Sequence, residues 1–325
     1  GCSSLWPEIT PYGAVKGVDS KRSLNGLAVH KRMWELAGAK CLTPQKLSPR
    51  LESFDVIVLV GQQYGPPGRA ARDWLEKWLA GKDGRTVVYF GRDFNAGLYY
   101  RQRTLDSVPP DKTLRAELAL SRMWAQELNL RLRQLPESTF CRWFYMDAGS
   151  PREECSEFSG PWASDVADTG GSWPVGVTLQ TPDSKWKREK PSWLAQKPGA
   201  ASSLKPASEV IDGESDNDDE SAPVVRSQWE IDELDSNEAW QAEFRQTTHA
   251  TRLLSTDGDR PLVFRLTGSH LGEGQILIVA NGAPFLNGSL VDPLFRSLGQ
   301  KLIEQCLPAK RVALLAYDEN GLLIS

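Results

Sequence analysis

The chain has 325 residues, 40% of them hydrophobic, which gives it apolar material for one large core or two smaller ones and excludes a disordered polypeptide. Its 38 basic and 42 acidic side chains leave a net charge of -4, so composition supplies no concentrated basic face for nucleic acid. Five cysteines without a CxxC pair, and three histidines at no metal-like spacing from them, argue against a zinc site, and no motif for a cofactor or metal is found.

Gly1, Cys2, Ser3 and Ser4 read as the junction at which a bacterial lipoprotein loses its leader before a cysteine that then receives lipid. On this reading Cys2 is lipidated, the chain faces the periplasm at the bacterial cell envelope, and it meets a membrane only through that anchor. The competing reading makes Gly1 an expression scar and Cys2 an ordinary residue. Residues 5–21 are rich in proline, glycine and charge, so residues 1–19 read as an extended arm leading into a single α/β domain over 20–325.

Ser20 or Ser23 is the expected N-cap of a helix carrying Leu24, Leu27, Ala28, Met33, Trp34, Leu36 and Ala37 along one face, with Gly38 as its stop. A short strand over 40–43 and a connector over 44–53 follow. Then comes the segment that decides the fold class. Val56, Ile57, Val58, Leu59, Val60 and Gly61 form an uninterrupted, mostly β-branched run, as a strand buried on both faces of a parallel sheet requires. After a loop through Gln62, Gln63 and Tyr64, the residues Ala71, Trp74, Leu75, Trp78 and Leu79 recur at helical spacing, and Thr86 to Phe90 make a second buried strand. Helix, strand, helix, strand predicts a doubly wound, mostly parallel α/β sheet with helices on both faces.

Ser23, Asn25 and Gly26, the following amphipathic helix with Gly38, and the strand begun by Phe54 and Asp55 resemble an uncharacterised family of bacterial domains with a class I glutamine amidotransferase-like (flavodoxin-like) fold. The second stretch of resemblance runs from Gly272 through Asn281 and Gly282 to Phe285, Leu286 and Asn287. The two stretches cover about a third of the chain and their motifs are structural, so what the resemblance implies is the fold.

Core segments over 20–96 and 257–325 then flank an insertion, residues 97–256. Within it Leu114, Leu118, Ser121, Ala125, Leu128 and Leu132 form one stripe of a long helix over 114–135, with arginine and glutamate elsewhere. Residues 140–146 read as a strand that rejoins the sheet. Cys141 and Cys155 share a loop-rich region and are the one candidate disulfide. Trp162, Trp173, Trp186 and Trp193 are expected to pin an irregular segment onto the core, the alternative being a carbohydrate or peptide platform. The acidic run over 212–220 reads as a solvated loop, since it lacks the closing glutamate and flanking helices of a calcium-binding loop. Regular structure returns with an antiparallel pair over 262–280, a helix over 291–307 and a last strand over 311–317 that turns into a hairpin with 322–324.

A class I amidotransferase needs a cysteine on the turn after a central strand and a His-Glu pair to activate it, and neither buried strand here ends in a thiol. There is likewise no GxSxG elbow, Walker loop or HExxH. Cys41 and Cys306 lie among apolar neighbours and are expected to be buried, and His30, His249 and His270 have no evident acid-base partner. In a doubly wound sheet, ligands bind beyond the carboxyl ends of the strands. That rule nominates Gln62, Gln63 and Tyr64 after the first strand, Arg92, Asp93 and Asn95 after the second, and Asn281 and Asn287 after the C-terminal one. The expected function is a noncatalytic, envelope-associated domain that binds a protein partner or a small polar ligand at this rim. The alternative is a hydrolase or amidotransferase relative with an altered site around Asp93.

Overall fold

The structure, a computed structural model, describes residues 12–134, 138–147, 153–167, 169–182, 248–317 and 321–324. Its main sheet has eight strands: β1 (Lys40–Leu42), β3 (Val56–Gly61), β4 (Thr86–Phe90), β8 (Phe158–Ser159), β11 (Thr248–Thr256), β12 (Pro261–Gly268), β13 (Gln275–Val279) and β14 (Arg311–Tyr317). Their spatial order is β1-β14-β3-β4-β13-β12-β11-β8. The first five are mutually parallel, and β12, β11 and β8 extend the sheet antiparallel. Shorter strands pair outside it: β10 (Thr178–Gln180), β6 (Phe144–Asp147) and β5 (Ser138–Cys141) as one sheet, β7 (Glu153–Cys155) with β9 (Trp173–Val175), and β15 (Leu323–Ile324) with β2 (Lys46–Leu47).

All six residues of β3 and all five of β4 are buried, as continuous apolar runs predict for strands covered on both faces. Alternation sorts their side chains into two cores. Val56, Val58, Val60, Val88 and Phe90 join the core of α2 (Ala28–Leu36) and α7 (Pro293–Gln305), with Trp34, Leu298 and Leu302 at its centre. Ile57, Leu59, Val87 and Tyr89 face α3 (Arg69–Ala80), meeting Leu75, Trp78 and Leu79. Among the described residues the remaining α-helices are α1 (Gly17–Arg22), α4 (Ala96–Arg103), α5 (Thr113–Gln134) and α6 (Ala163–Ala167). Helix α7 carries the chain from β13 past β4 and β3, so that β14 enters between β1 and β3.

Several expectations are corrected. The first helix divides into α1 and α2, and α2 begins after Leu27 with no side-chain cap, so neither Ser20 nor Ser23 caps it. Residues 140–146 do not rejoin the main sheet: β5 and β6 form a hairpin whose Cys141, Trp143, Phe144 and Met146 pack over Tyr89 on the α3 face. Cys141 and Cys155 are not joined by a disulfide, because the hairpin buries Cys141 completely while Cys155 pairs in a separate sheet with Trp173. The chain end does not fold back on β14, since β15 runs parallel to β2. The strand β11, inside the insertion, contributes to the main sheet, which the reading of an irregular middle overlooked.

Trp162 and Trp173 are buried in the α2–α7 core and pin the insertion as expected. Trp186, Trp193 and the acidic run over 212–220 lie outside the described residues.

Helix α5 forms within one residue of the predicted bounds, and the side away from the predicted stripe is the one turned inward. Ala116, Leu120 and Glu127 are buried, while Leu114, Leu118 and Leu128 are 70%, 54% and 55% exposed. The inward side joins the apolar Ala116 and Leu120 to one buried carboxylate, Glu127, which has its partners on the domain.

Candidate functional site

The parallel strands end at a rim formed by the segments after β3, β4 and β13. Two glycines draw the last two together. Gly91 donates its N–H to Val279 O at 2.9 Å and Gly282 donates to Gly91 O at 2.7 Å. A Cβ at Gly91 would stand 2.5 Å from Ala280 O, and one at Gly282 2.5 Å from the Phe90 Cβ, so only glycine permits this approach.

On this rim Arg92 and Asp93 turn inward rather than to solvent. They are 6% and 3% exposed. The Arg92 guanidinium donates to Glu127 Oε1 at 2.9 Å and to the Gln62 carbonyl, and it lies 4.7 Å from the Tyr64 ring and 5.1 Å from the Tyr12 ring. Tyr64 donates its hydroxyl to the same Glu127 oxygen at 2.8 Å. Burial pushes the Tyr64 phenol above its ordinary range, and the Glu127 charge adds to the effect while Arg92 opposes it. Asp93 Oδ2 accepts the Gly176 N–H at 2.6 Å, and Arg131 donates to the Gly176 carbonyl at 2.9 Å. Gly176 is thus clasped on both sides of its peptide. The sequence rule located the rim and missed what covers it: Glu127 and Arg131, one helical turn apart on α5, and the segment around Gly176. The signal was an acid and a base at i and i+4, off the stripe that carries Leu114, Leu118 and Leu128.

The asparagines have separate structural tasks. Asn95 caps α4, its Oδ1 accepting from Gly97 N at 2.9 Å and Leu98 N at 3.2 Å, and Asn25 Oδ1 reaches the same Gly97 N–H at 3.2 Å. Asn281 donates to Pro174 O at 2.8 Å and accepts from Ala283 N at 3.0 Å. Asn287 accepts from Val29 N at 2.8 Å and donates to Ser20 O and Ser23 O at 2.7 and 2.9 Å, binding the start of α2 to the loop after β13. Gln62 and Gln63 are half-buried, and Tyr64 is 1% exposed. The nominated residues therefore separate: Gln62 and Tyr64 gather around Arg92, Asn95 shares the Gly97 amide with Asn25, and Asn281 ties the loop after β13 to Pro174. Each set is knitted by bonds within the chain.

Cys41, Cys155 and Cys306 have the wrong electrostatics for nucleophiles. Burial pushes the Cys41 thiol to about 11 and raises Cys155 and, further, Cys306. His30 is fully buried, accepts from the Trp34 indole N–H at 3.0 Å, and stands edge-on to Phe90 and Phe285, so burial lowers its pKa to about 3. Burial, helped by the charge of Arg142, lowers His270 to about 4. Neither imidazole titrates near neutrality, where a general base operates.

An open concavity lies beside the rim. Tyr99, Gln102 and Arg103 on α4, Trp124 on α5, Glu154 on β7 and Ser172 ahead of β9 line a groove of about 490 Å³. Arg103 is fixed by a 2.7 Å ion pair to Asp292 and a 3.2 Å bond to the Tyr99 hydroxyl, with its charge 5.4 Å over the Tyr99 ring. Ser172 donates to Glu154 at 2.9 Å on the opposite wall. Two aromatic side chains and fixed groups of both charge signs suit a polar ligand with an apolar face. Among the described residues there is no cluster of histidine, cysteine and carboxylate able to hold a metal ion, and no helix long and apolar enough to cross a membrane.

Compared with protein-family models, curated proteins and solved structures, the chain finds no match in any of the three.

Proposed function

We propose that this chain is a noncatalytic α/β domain that binds a small polar ligand in the groove between α4, α5 and β7. The observation that carries the reading is the contrast between groove and rim. At the strand ends, where a doubly wound sheet commonly holds its ligand, Arg92, Asp93, Asn95 and Asn281 are buried and bonded within the chain. The groove beside them offers a half-exposed aromatic wall and a positioned guanidinium.

The resemblance to amidotransferase-like domains enters as part of this proposal. Supporting it is the order of the five parallel strands. Counted from β14 as first, then β1, β3, β4 and β13, the order β1-β14-β3-β4-β13 reads 2-1-3-4-5, that of a flavodoxin-like sheet. Here the place beside the edge strand β1 is filled by β14, the last strand of this sheet in chain order, instead of by its first. The alternative, an altered hydrolase site around Asp93, has less support because that carboxylate already holds the Gly176 amide. Envelope location through Cys2 rests on the Gly1-Cys2-Ser3-Ser4 sequence, and incorporation of labelled fatty acid that Cys2→Ser abolishes would test it.

The test of the ligand proposal is thermal stabilisation by a panel of nucleotides, sugars and amino acids, since a ligand that binds the folded state raises its apparent stability by mass action. A compound from the panel should raise the melting temperature of the wild type and not of Trp124→Ala or Arg103→Ala. Stabilisation that survives both substitutions, or none from any compound, would overturn the proposal.

A further inference from the structure

The apolar stripe of α5 is more regular than an amphipathic helix requires. Leu114, Leu118, Ser121, Ala125, Leu128 and Leu132 are separated by four, three, four, three and four residues. That alternation averages 3.5 residues and is the seam of a left-handed coiled coil, narrower than the broad apolar stripe of a helix lying on a globular core. The helix has 22 residues, a length of about 33 Å at 1.5 Å per residue.

The two sides of α5 are occupied differently. Ala116, Leu120 and Glu127 are buried, and Met123 and Leu130 are half-buried against the domain. On the other side Leu114, Leu118, Ser121, Ala125 and Leu128 are all exposed. The inner side is held by named contacts: Glu127 with Arg92 and Tyr64, Arg131 with Gly176, and Met123 Sδ accepting from Arg101 at 2.9 Å. Helix α5 is therefore fixed with its seam outward, and rotation to bury the leucines would pull Glu127 from a buried arginine.

We infer that the seam of α5 is covered by α5 of a second copy of this chain, the two helices lying parallel. Charge chooses both the occupant and the direction. Glu117 and Arg122 flank the seam on opposite sides, both exposed, five residues apart. In a parallel in-register pair, that spacing sets Glu117 of each helix against Arg122 of the other, and the two-fold axis makes the bridge twice. An antiparallel pair that matches all six seam positions instead sets Arg122 against its own copy. Ser121 and Ala125 at mid-seam are small and let the two backbones approach, with Leu118 and Leu128 packing on either side. A single pair of helices this long buries less than a standard interface of about 1,600 Å², so the association is of micromolar strength or weaker.

Sedimentation of the full chain over about three decades of concentration around the micromolar range tests the inference. A reversible monomer–dimer equilibrium is expected, and the double variant Leu118→Lys with Leu128→Lys should abolish the dimer while leaving the far-ultraviolet circular dichroism unchanged. Glu117→Arg alone and Arg122→Glu alone should each weaken dimerisation by about tenfold, and the two together should restore it, because the bridge is rebuilt with its signs exchanged. Ala125→Cys should yield a covalent dimer on mild oxidation, since a parallel pair sets residue 125 beside its own copy. A chain that stays monomeric at the highest concentration, whatever covers the seam, overturns the inference. So does a dimer indifferent to the lysine variants, or one in which the charge exchange gives no restoration.

Discussion

The rim above β3 and β4 and the outer face of α5 invert each other. At the rim, Arg92, Asp93, Glu127 and Tyr64 are charged or polar and buried, while on α5 Leu114, Leu118 and Leu128 are apolar and exposed. One helix accounts for both, since the side that delivers Glu127 and Arg131 to the strand ends forces the leucines outward. The lesson is energetic. The inner side buries Ala116 and Leu120 and also supplies the partner of Arg92, and a buried charge left without its partner costs about 3–5 kcal/mol, whereas turning the outer leucines inward would supply burial without that partner.

The sharpest way to break this comparison is to remove the shared carboxylate. Glu127→Ala leaves the 6%-exposed Arg92 without its ion pair and the Tyr64 hydroxyl without an acceptor, so a loss of about 3–5 kcal/mol is expected in urea unfolding. Glu127→Gln keeps an acceptor in place and should cost less. A loss below about 1 kcal/mol for the alanine variant would mean that the pair does not orient α5.

Asp93→Ala is the next largest. It leaves the buried Gly176 N–H unpaired, and a loss of about 2 kcal/mol is expected from the desolvated amide. A stability equal to wild type, measured the same way, would return Asp93 to the list of groups free to meet a ligand.

How much of this was legible follows from the same physics. Buried parallel strands announce themselves locally, because Val56 to Val60 and Thr86 to Phe90 must be apolar at every position. The strand ends were legible for the same reason, as each run stops at a glycine. What covers those ends was not, because Glu127 lies 35 residues from Arg92 and Gly176 lies 83 from Asp93, and no local pattern encodes such pairings. The α5 stripe was legible, but periodicity reports that a face is apolar, not which neighbour covers it. The groove residues Tyr99, Trp124 and Glu154 come from three separate elements and carry no joint signal in sequence.

A third test asks whether a buried polar group must be charged to matter. His30 is fully buried with its pKa at about 3, against an ordinary value of 6.5. Between these values the unfolded chain takes up a proton that the folded chain refuses. The His30 contribution is therefore fully present above about pH 6.5 and lost as pH falls toward 3, by up to about 1.4 kcal/mol per pH unit. His270, lowered to about 4, acts in the same direction. His30→Gln keeps an acceptor for the Trp34 indole and cannot titrate, so its stability should fall less steeply between pH 6 and 4 than that of the wild type, about one proton's slope less. An unchanged slope would show that His30 is solvated in the folded state.

The smallest expected effect lies on the outer face of α5, and it separates the two sides of one helix. Leu118 is 54% exposed and Leu120, two residues on, is 7% exposed. Leu120→Ala removes side-chain volume from a packed site and should cost about 2–5 kcal/mol. Leu118→Ala removes the same atoms from a surface, so the monomer's stability should change by no more than about 0.5 kcal/mol. The measurement must be made at a concentration too low for two copies to meet, because at high concentration self-association adds stability to the wild type that the variant lacks. Equal losses at Leu118 and Leu120 in dilute protein would mean that the seam is packed within a single chain, and both the inversion and the dimer drawn from it would fall together.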